Sequence, residues 1–458
     1  MAWPHTPLRI TTELLIAGEW VDISIHVLNR QPLKINWGRK DEASKVSHSK
    51  VALQLNNRDG WYSNRNPNSP YYGLLRQNTP IRISVVTPSG AVSYRFHGEV
   101  SEFPQRWDLS GRDVYVTIKC AGILRRLDQG TKPLKDPLRR HIEGHGPLAY
   151  WPLTDGEDAR HGTEVVASGT PMRAVGESGS FYQGQPDWGR GNLAPWLDPV
   201  VDLPDETIGH LATAVQPHSF SRWSVDHCIA GGGEGYANTF EIWDNGPRLD
   251  SARLVQRSVT TDPLNDRLRL HITEWGDTGV INSFPATITG SGIFDDHPHH
   301  IRLSVADDGA GGTNWEMHVD GLLKASGNHA SSYRPVGKLS YRWGTVEGGG
   351  TPTKAIALGH IAYWGATTPE AADTYRAMRG YERELAGRRI ERLCAEHGVP
   401  LAVTGSLDTT PQMGPQRSGA LLELLDTAAK VDGGVIYESR TELGLAYRTN
   451  RSRYNQGV

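Results

Sequence analysis

The stretch FDDHPHHIRLSV, residues 294–305, places His297, His299 and His300 behind Asp295 and Asp296 and then runs into alternating apolar positions. Two readings compete for it. A zinc site needs three or four ligands converging on one point. In a strand, successive side chains leave on opposite faces, so His299 and His300 diverge; only His297 and His299 share a side, with Pro298 between them. The stretch therefore reads as the way into a strand with one imidazole packed inward.

Its surroundings have the same period. From AYWPLTDGEDARHG (149–162) to ALGHIAYWGA (357–366), glycines and aromatics separate short alternating segments: TFEIWD (239–244), RLRLHITEW (267–275), NWEMHVDG (314–321) and KLSYRWG (338–344). Strands at such spacing predict a β-sandwich of about 210 residues. A different β-domain precedes it. LRITTELLIAGEWVDIS (8–24) alternates on both sides of Ala17-Gly18, and further strands are expected at 49–57, 80–87, 93–103 and 112–120.

Between and after the two, the period becomes helical. AGILRRLDQG and PLKDPLRRHIEGHG (121–146) read as a helical connector, and TPEAADTYRAMRGYERELAGRRIERLCAEHG (368–398) as one helix with Thr368 as N-cap, Pro369 in the first turn and Gly398 just past its end. SGALLELLDTAAKVDGG then predicts a helix and GVIYESRTELGLAYRT a hairpin about Glu442–Gly444, a piece too small to bury its own face. The expected organisation is mainly β: an N-terminal β-barrel or sandwich (1–120), a helical connector (121–147), a second β-sandwich (148–366), a connecting helix (367–398) and a C-terminal α+β segment (399–458).

The composition narrows the function. With 458 residues, 22% charged and a formal net charge of -3, the chain has no basic footprint for nucleic acid or for an anionic membrane. No window holds the roughly 18 apolar residues of a membrane-spanning helix, and the start lacks the pattern of a signal peptide. Synthesis as a soluble protein in a cytoplasm is the expectation. Cys120, Cys228 and Cys394 are too scattered for a disulfide framework or a metal knuckle.

Catalytic motifs do not assemble. GxSxG, Walker and HExxH patterns are missing, and the Gly-rich GGGEGY (231–236) and EGGGTP (347–352) do not link a strand to a helix. No catalytic residue is nominated. Aromatic side chains in loops stack on the apolar faces of sugars, which makes Tyr182, Trp188 and Trp196 in FYQGQPDWGRGNLAPW, with Trp243 and Trp275, the candidates for carbohydrate binding. Packing into the core is the competing role of each.

Four of these segments carry a family resemblance. AYWPLTD, HHIRLSVAD, WEMHVDGLLKASG and IALGHIAYWGATTPEAADTYRAM resemble the strands of a laminin G-like domain of the concanavalin A-like jelly-roll class. That resemblance implies loop carboxylates able to hold Ca²⁺ at the rim: Asp155, Asp158, Asp244, Asp307 and Asp308, each of which also fits an ordinary solvated turn. The flanks, KVALQLNNRDGWYSNRNPNSPYYGLLRQNTPIRISV, SEFPQRWDLSGRDVYVTIKCAGILRRLDQG and RSGALLELLDTAAKVDGGVIYESRTELGLAYR, resemble the minor tail proteins of actinobacterial siphophages, in which a hub-like β-domain carries a grafted carbohydrate-binding module. Such proteins are usually longer, so residues 399–458 can be the start of a larger domain. The resemblance implies a virion protein of the tail tip or baseplate hub, a homotrimer or other cyclic oligomer among tail proteins, with a host cell-surface glycan as ligand. The alternatives are a tail-associated glycan hydrolase and a purely structural spacer.

Overall fold

The structure, a computed structural model, describes residues 9–30, 32–38, 46–87, 89–107, 110, 112–129, 132–166, 169–175, 184–204, 207–231, 237–245, 254–262, 265–276, 279–295, 297–345 and 355–454. The chain is mostly β and divides into two compact units, one of Met1–Leu134, Arg383–Met413 and Gly419–Val458, the other of Lys135–Glu382 and Gly414–Ser418.

In the first unit, alternation in Arg9–Ile16 buries Leu14 and Ile16, and Ala17 and Gly18, both at positive φ (52° and 88°), turn the chain into Glu19–Asp22. This hairpin opens an antiparallel sheet ordered Glu19–Asp22, Arg9–Ile16, Thr79–Val86, Val92–Glu102, Val114–Ala121, Ser47–Asn56, Ile35–Gly38, with Gln105–Trp107 also paired to Val114–Ala121. It closes on Leu14, Leu55, Ile81, Ile83, Phe96 and Val116. A second core gathers helices Ile123–Leu127, Ala386–Glu396 and Leu421–Asp432 around Leu393, Leu425 and Tyr447. Helix Leu421–Asp432 ends on Gly433 at φ 71°, a left-handed conformation glycine adopts without Cβ strain. Strand Leu445–Arg448 pairs antiparallel with Val435–Glu438, the expected hairpin, and parallel with Leu401–Thr404, a pairing the sequence did not announce.

The second unit is a sandwich of two antiparallel sheets, the architecture expected from the alternating segments. One, here the first sheet, runs His161–Gly162, Met172–Val175, Gly209–Ala214, Val336–Thr345, Ala237–Asp244, Leu254–Asp262, Arg267–Gly276, Gly279–Thr289. The second runs Asp187–Gly191, Val200–Leu203, Ile356–Trp364, Arg222–Gly231, His299–Asp307, Thr313–Val319, Leu322–His329, with Ala149–Trp151 beside Ile356–Trp364. Their facing residues, among them Ile242, Leu270, Leu303, Met317 and Tyr341, form one core.

The outer face of the second sheet is polar and buried. Arg302 donates to Asp226 through Nε (2.5 Å) and Nη2 (2.7 Å), to Thr374 Oγ1 (3.1 Å) and to the Pro369 carbonyl, while Trp364 Nε1 donates to Asp226 Oδ2 (2.8 Å). Burial alone would raise the Asp226 carboxyl, but the Arg302 guanidinium and His300 hold it well below the usual carboxylate range.

The helical boundaries need correction. Residues 368–398 form two helices, Ala371–Met378 and Ala386–Glu396, not one. Gly380, Tyr381 and Arg383 have φ of 62°, 53° and 61°, and the chain between the helices bonds instead to the 413–416 segment, Arg383 N to Met413 O (2.7 Å) and Gln416 N to Gly380 O (2.7 Å). Helical periodicity persists across the break because both helices are amphipathic. Glu370, not Thr368, occupies the N-cap position. The helical connector expected at 121–147 comprises two helices, Ile123–Leu127 in the first unit and Pro137–Gly144 in the second, the latter capped by Asp136 accepting from Arg139 N (2.8 Å).

Removing one partner of a buried ion pair strands the other charge and costs about 3–5 kcal/mol. Arg302→Met should therefore lower the denaturant midpoint of the sandwich sharply, and Asp226→Asn added to it should recover part of the loss; an unshifted midpoint for Arg302→Met would refute this role.

Candidate functional site

Three strands of the first sheet bring two of the nominated tryptophans together. In Ala237–Asp244 the alternation sends Phe240 and Ile242 into the core and Glu241 and Trp243 to the opposite face. Strand Arg267–Gly276 sends Leu268, Leu270 and Ile272 inward and Trp275 outward, and Leu254–Asp262 runs between them. Trp243 sits opposite Gln256, and Trp275 lies across from Leu254, one diagonal away. The two indole centroids stand 6.1 Å apart at 33°, and Trp275 Nε1 donates to Gln256 Oε1 at 2.9 Å.

The rest of this face is polar. Glu241 lies opposite Ser258 on one side and Ser340 on the other. Arg342 Nη1 is 3.4 Å from Glu241 Oε1, Trp243 Nε1 donates to Glu241 Oε2 (3.3 Å), and Lys338 Nζ lies 6.0 Å from the Trp243 ring centre. Glu241 (8% exposed), Gln256 (7%), Ser258 (8%) and Ser340 (1%) face away from the core yet lie low, shielded by larger neighbours, whereas Trp243 and Trp275 are half-buried. The arrangement offers two indoles fixed by hydrogen bonds, with amide, carboxylate and guanidinium groups beside them. Two held aromatic planes with adjacent polar groups suit a ligand having apolar faces and a hydroxylated rim. The sequence nominated both tryptophans but not Glu241, Gln256, Lys338 or Arg342; strand alternation places those four on the tryptophans' face, and only cross-strand register makes them neighbours.

The other aromatic candidates do not join them. Trp188 is 6% exposed in the core between the sheets and cannot present a ring face to a ligand. Trp196 packs against Gly380 and donates from Nε1 to the Met378 carbonyl (2.8 Å), a structural fastening. Tyr182 lies outside the described residues.

The carboxylates nominated for Ca²⁺ do not converge. Asp155 accepts from Thr163 Oγ1 (2.6 Å), and Asp158 is exposed. Asp307 accepts from Gly309 N (2.9 Å), and Asp308 accepts from Ala310 N, Gly312 N (both 2.8 Å) and Asn328 Nδ2 (2.9 Å), so both close turns. Asp244 is buried on the core side of its strand, where its charge acts on Arg257. Among the described residues no three His, Cys, Asp or Glu side chains gather to hold a metal ion.

The histidines of the opening stretch are bound to protein groups. His299 is held between Asp320 Oδ2 on Nδ1 and Asp295 Oδ1 on Nε2, both at 2.7 Å. His300, fully buried on the other face, has Nε2 3.5 Å from Asp226 Oδ2. Thus both imidazoles are buried, where one was expected, and His297 is exposed. Burial lowers the pKa of His299, but the hydrogen bonds to Asp320 and Asp295 outweigh it and raise the group above its ordinary value.

No protein family model matches the chain, and no curated protein matches it. Solved structures resemble it in part. The binding domain of botulinum neurotoxin DC in complex with rat synaptotagmin II aligns at 7% identity over 53% of this chain and 54% of that one, with a TM-score of 0.34. The likeness thus spans about half the length of that toxin domain. Domain 4 of an extracellular arabinanase from Geobacillus stearothermophilus, in complex with arabinotriose, aligns at 14% identity over 50% of this chain and 98% of that one (TM-score 0.32). A Trypanosoma rangeli sialidase aligns at 10% identity over 79% of this chain and 57% of that one (TM-score 0.31).

A histidine whose pKa is raised by folding stabilises the fold fully below its unfolded value, near 6.5, and loses that contribution as pH rises through the higher folded value. Thermal unfolding from pH 6 to 8.5 should show the wild type losing more stability with rising pH than His299→Gln does. Parallel curves would mean that His299 carries no bound proton in this window.

Proposed function

We propose that the sandwich unit binds a cell-surface glycan on the face built by Trp243 and Trp275, and that the chain is a minor tail protein working at the tip of a phage tail. The observation that carries the glycan reading is the indole pair itself: two rings 6.1 Å apart, one fixed by Gln256, beside Glu241 and Arg342. Pyranose rings present apolar faces for such planes and hydroxyls for such polar neighbours. The tail reading rests on the resemblance of residues 49–127 and 414–449 to siphophage minor tail proteins. It gives the weak single site a use, because a closed cyclic oligomer multiplies low affinity into firm attachment.

Truncating a stacked indole should cost about tenfold in affinity. In affinity electrophoresis of the full chain against host wall polysaccharides, Trp243→Ala and Trp275→Ala should each restore mobility, while Trp188→Phe, a core change, should not. Retention undiminished in the folded double variant would overturn the site. Release of reducing ends by the wild type would replace binding with hydrolysis, and no retention on any wall fraction would favour a spacer.

Sedimentation of the full chain should show a trimer or another closed ring. A strict monomer that does not bind tail proteins would count against the hub assignment.

A further inference from the structure

The first unit contains a cavity of about 210 Å³ that the glycan reading does not use. Strands Ile35–Gly38, Ser47–Asn56 and Val92–Glu102 form its walls together with the Val435–Glu438 strand of the C-terminal hairpin. Phe96, Val435, Tyr437 and Trp37 give it a largely apolar lining. At this volume, below the roughly 300–1,000 Å³ of ordinary ligand pockets, it suits a group the size of one side chain.

The polar groups on it are few and of distinct kinds. Glu438 is already committed: it accepts from Ser49 N (2.7 Å), Ser49 Oγ and Leu124 N (2.8 Å), so its charge serves the joint between hairpin and barrel. Burial lowers the pKa of His97, against a backbone hydrogen bond at Thr441 that raises it, and its Nδ1 is buried with no hydrogen-bond partner. Arg95 and Arg440 are exposed members of the lining, and Arg440 lies over the Trp37 ring, 4.3 Å from its centre. Among the described residues neither guanidinium is joined to a carboxylate, so both present unneutralised positive charge to whatever enters.

We propose that this cavity binds an aromatic group that carries a carboxylate a few bonds away. The ring fills the apolar space and the carboxylate reaches Arg95 and Arg440 at the opening. An indole acid satisfies both. Two sources share that chemistry: a free aromatic acid, and the C-terminal aromatic residue of another polypeptide.

The test uses the full chain and four probes. Indole-3-acetate stands for the free acid and N-acetyltryptophan for a chain end; indole-3-acetamide and N-acetyltryptophanamide are their uncharged counterparts. Ligand-observed saturation-transfer NMR with titration should show saturable binding of at least one acid, about tenfold tighter than its amide, as a charge-assisted contact requires. Arg440→Ala, with folding checked by circular dichroism, should erase that preference, and Ser47→Trp, placing bulk at the lining, should abolish binding. A preference for indole-3-acetate assigns the free acid, and a preference for N-acetyltryptophan assigns a chain end. The proposal falls if neither acid saturates, if acid and amide bind alike, or if Ser47→Trp in a folded protein leaves binding unchanged.

Discussion

The sandwich depends on one buried ion pair. Asp226 and Arg302 face each other on adjacent strands, on the side of the second sheet turned away from the core between the sheets. Two charges removed from water are unfavourable unless every lone pair and proton finds a partner. Here the Asp226 carboxylate takes two bonds from Arg302 and one from Trp364, and Arg302 spends its remaining reach on Thr374 and the Pro369 carbonyl. The pair thereby fastens three neighbouring strands to helix Ala371–Met378 and to the segment leading into it. Directional polar contacts supply a register and a docking angle that apolar packing does not.

Once that sheet is fixed, the other inherits its faces. Inward positions of Ala237–Asp244 and Arg267–Gly276 must meet Leu303, Val305 and Met317, and the period of two then sends Trp243 and Trp275 outward together. A slip of one residue in either strand would bury one indole and separate the pair. Trp188 shows the converse case: the same residue type, in a Gly- and Pro-rich segment, turns inward beside Leu153 and Gly162. The tryptophan face is therefore a product of register rather than of composition.

This explains what could be read from the sequence. Alternation located many strands of both β-regions, where one face is buried and the period of two leaves little freedom, but not Arg222–Gly231, Leu254–Asp262 or Gly279–Thr289; Arg222–Gly231 is buried on both faces. The two tryptophans were nominated as loop aromatics instead, and the structure places both on strands. Nor did alternation foresee Arg257, which lies on the inward face of its strand, 1% exposed, with its guanidinium 5.6 Å from the Trp223 ring and in the field of Asp244. Binary patterning assumes that a charge points to water, and an internal partner defeats it. The helix break at 380–383 escaped for a related reason: Tyr381 and Arg383 adopt left-handed backbone without being glycine, and the hydrogen bonds that compensate come from residues some thirty positions later. Long-range partners of this kind leave no local signature.

The same distance in sequence governs how the first unit can form. Its joint is Glu438, which bonds to Ser49 and Leu124, 389 and 314 residues earlier. Gly122 makes that approach feasible, since a Cβ there would lie 2.1 Å from Glu438 Oε2. Closing so long a loop in an unfolded chain would be slow and entropically unfavourable, although the cost grows only logarithmically with length. The inserted unit shortens the path once it has folded. Helix Pro137–Gly144 at its beginning packs on helix Ala371–Met378 near its end, with His141 Nε2 3.4 Å from Thr374 Oγ1. The chain therefore leaves and re-enters the sandwich at neighbouring points, so the two flanking segments emerge side by side. Folding of the insert first, followed by closure of the flanks on Glu438, is the order these contacts favour.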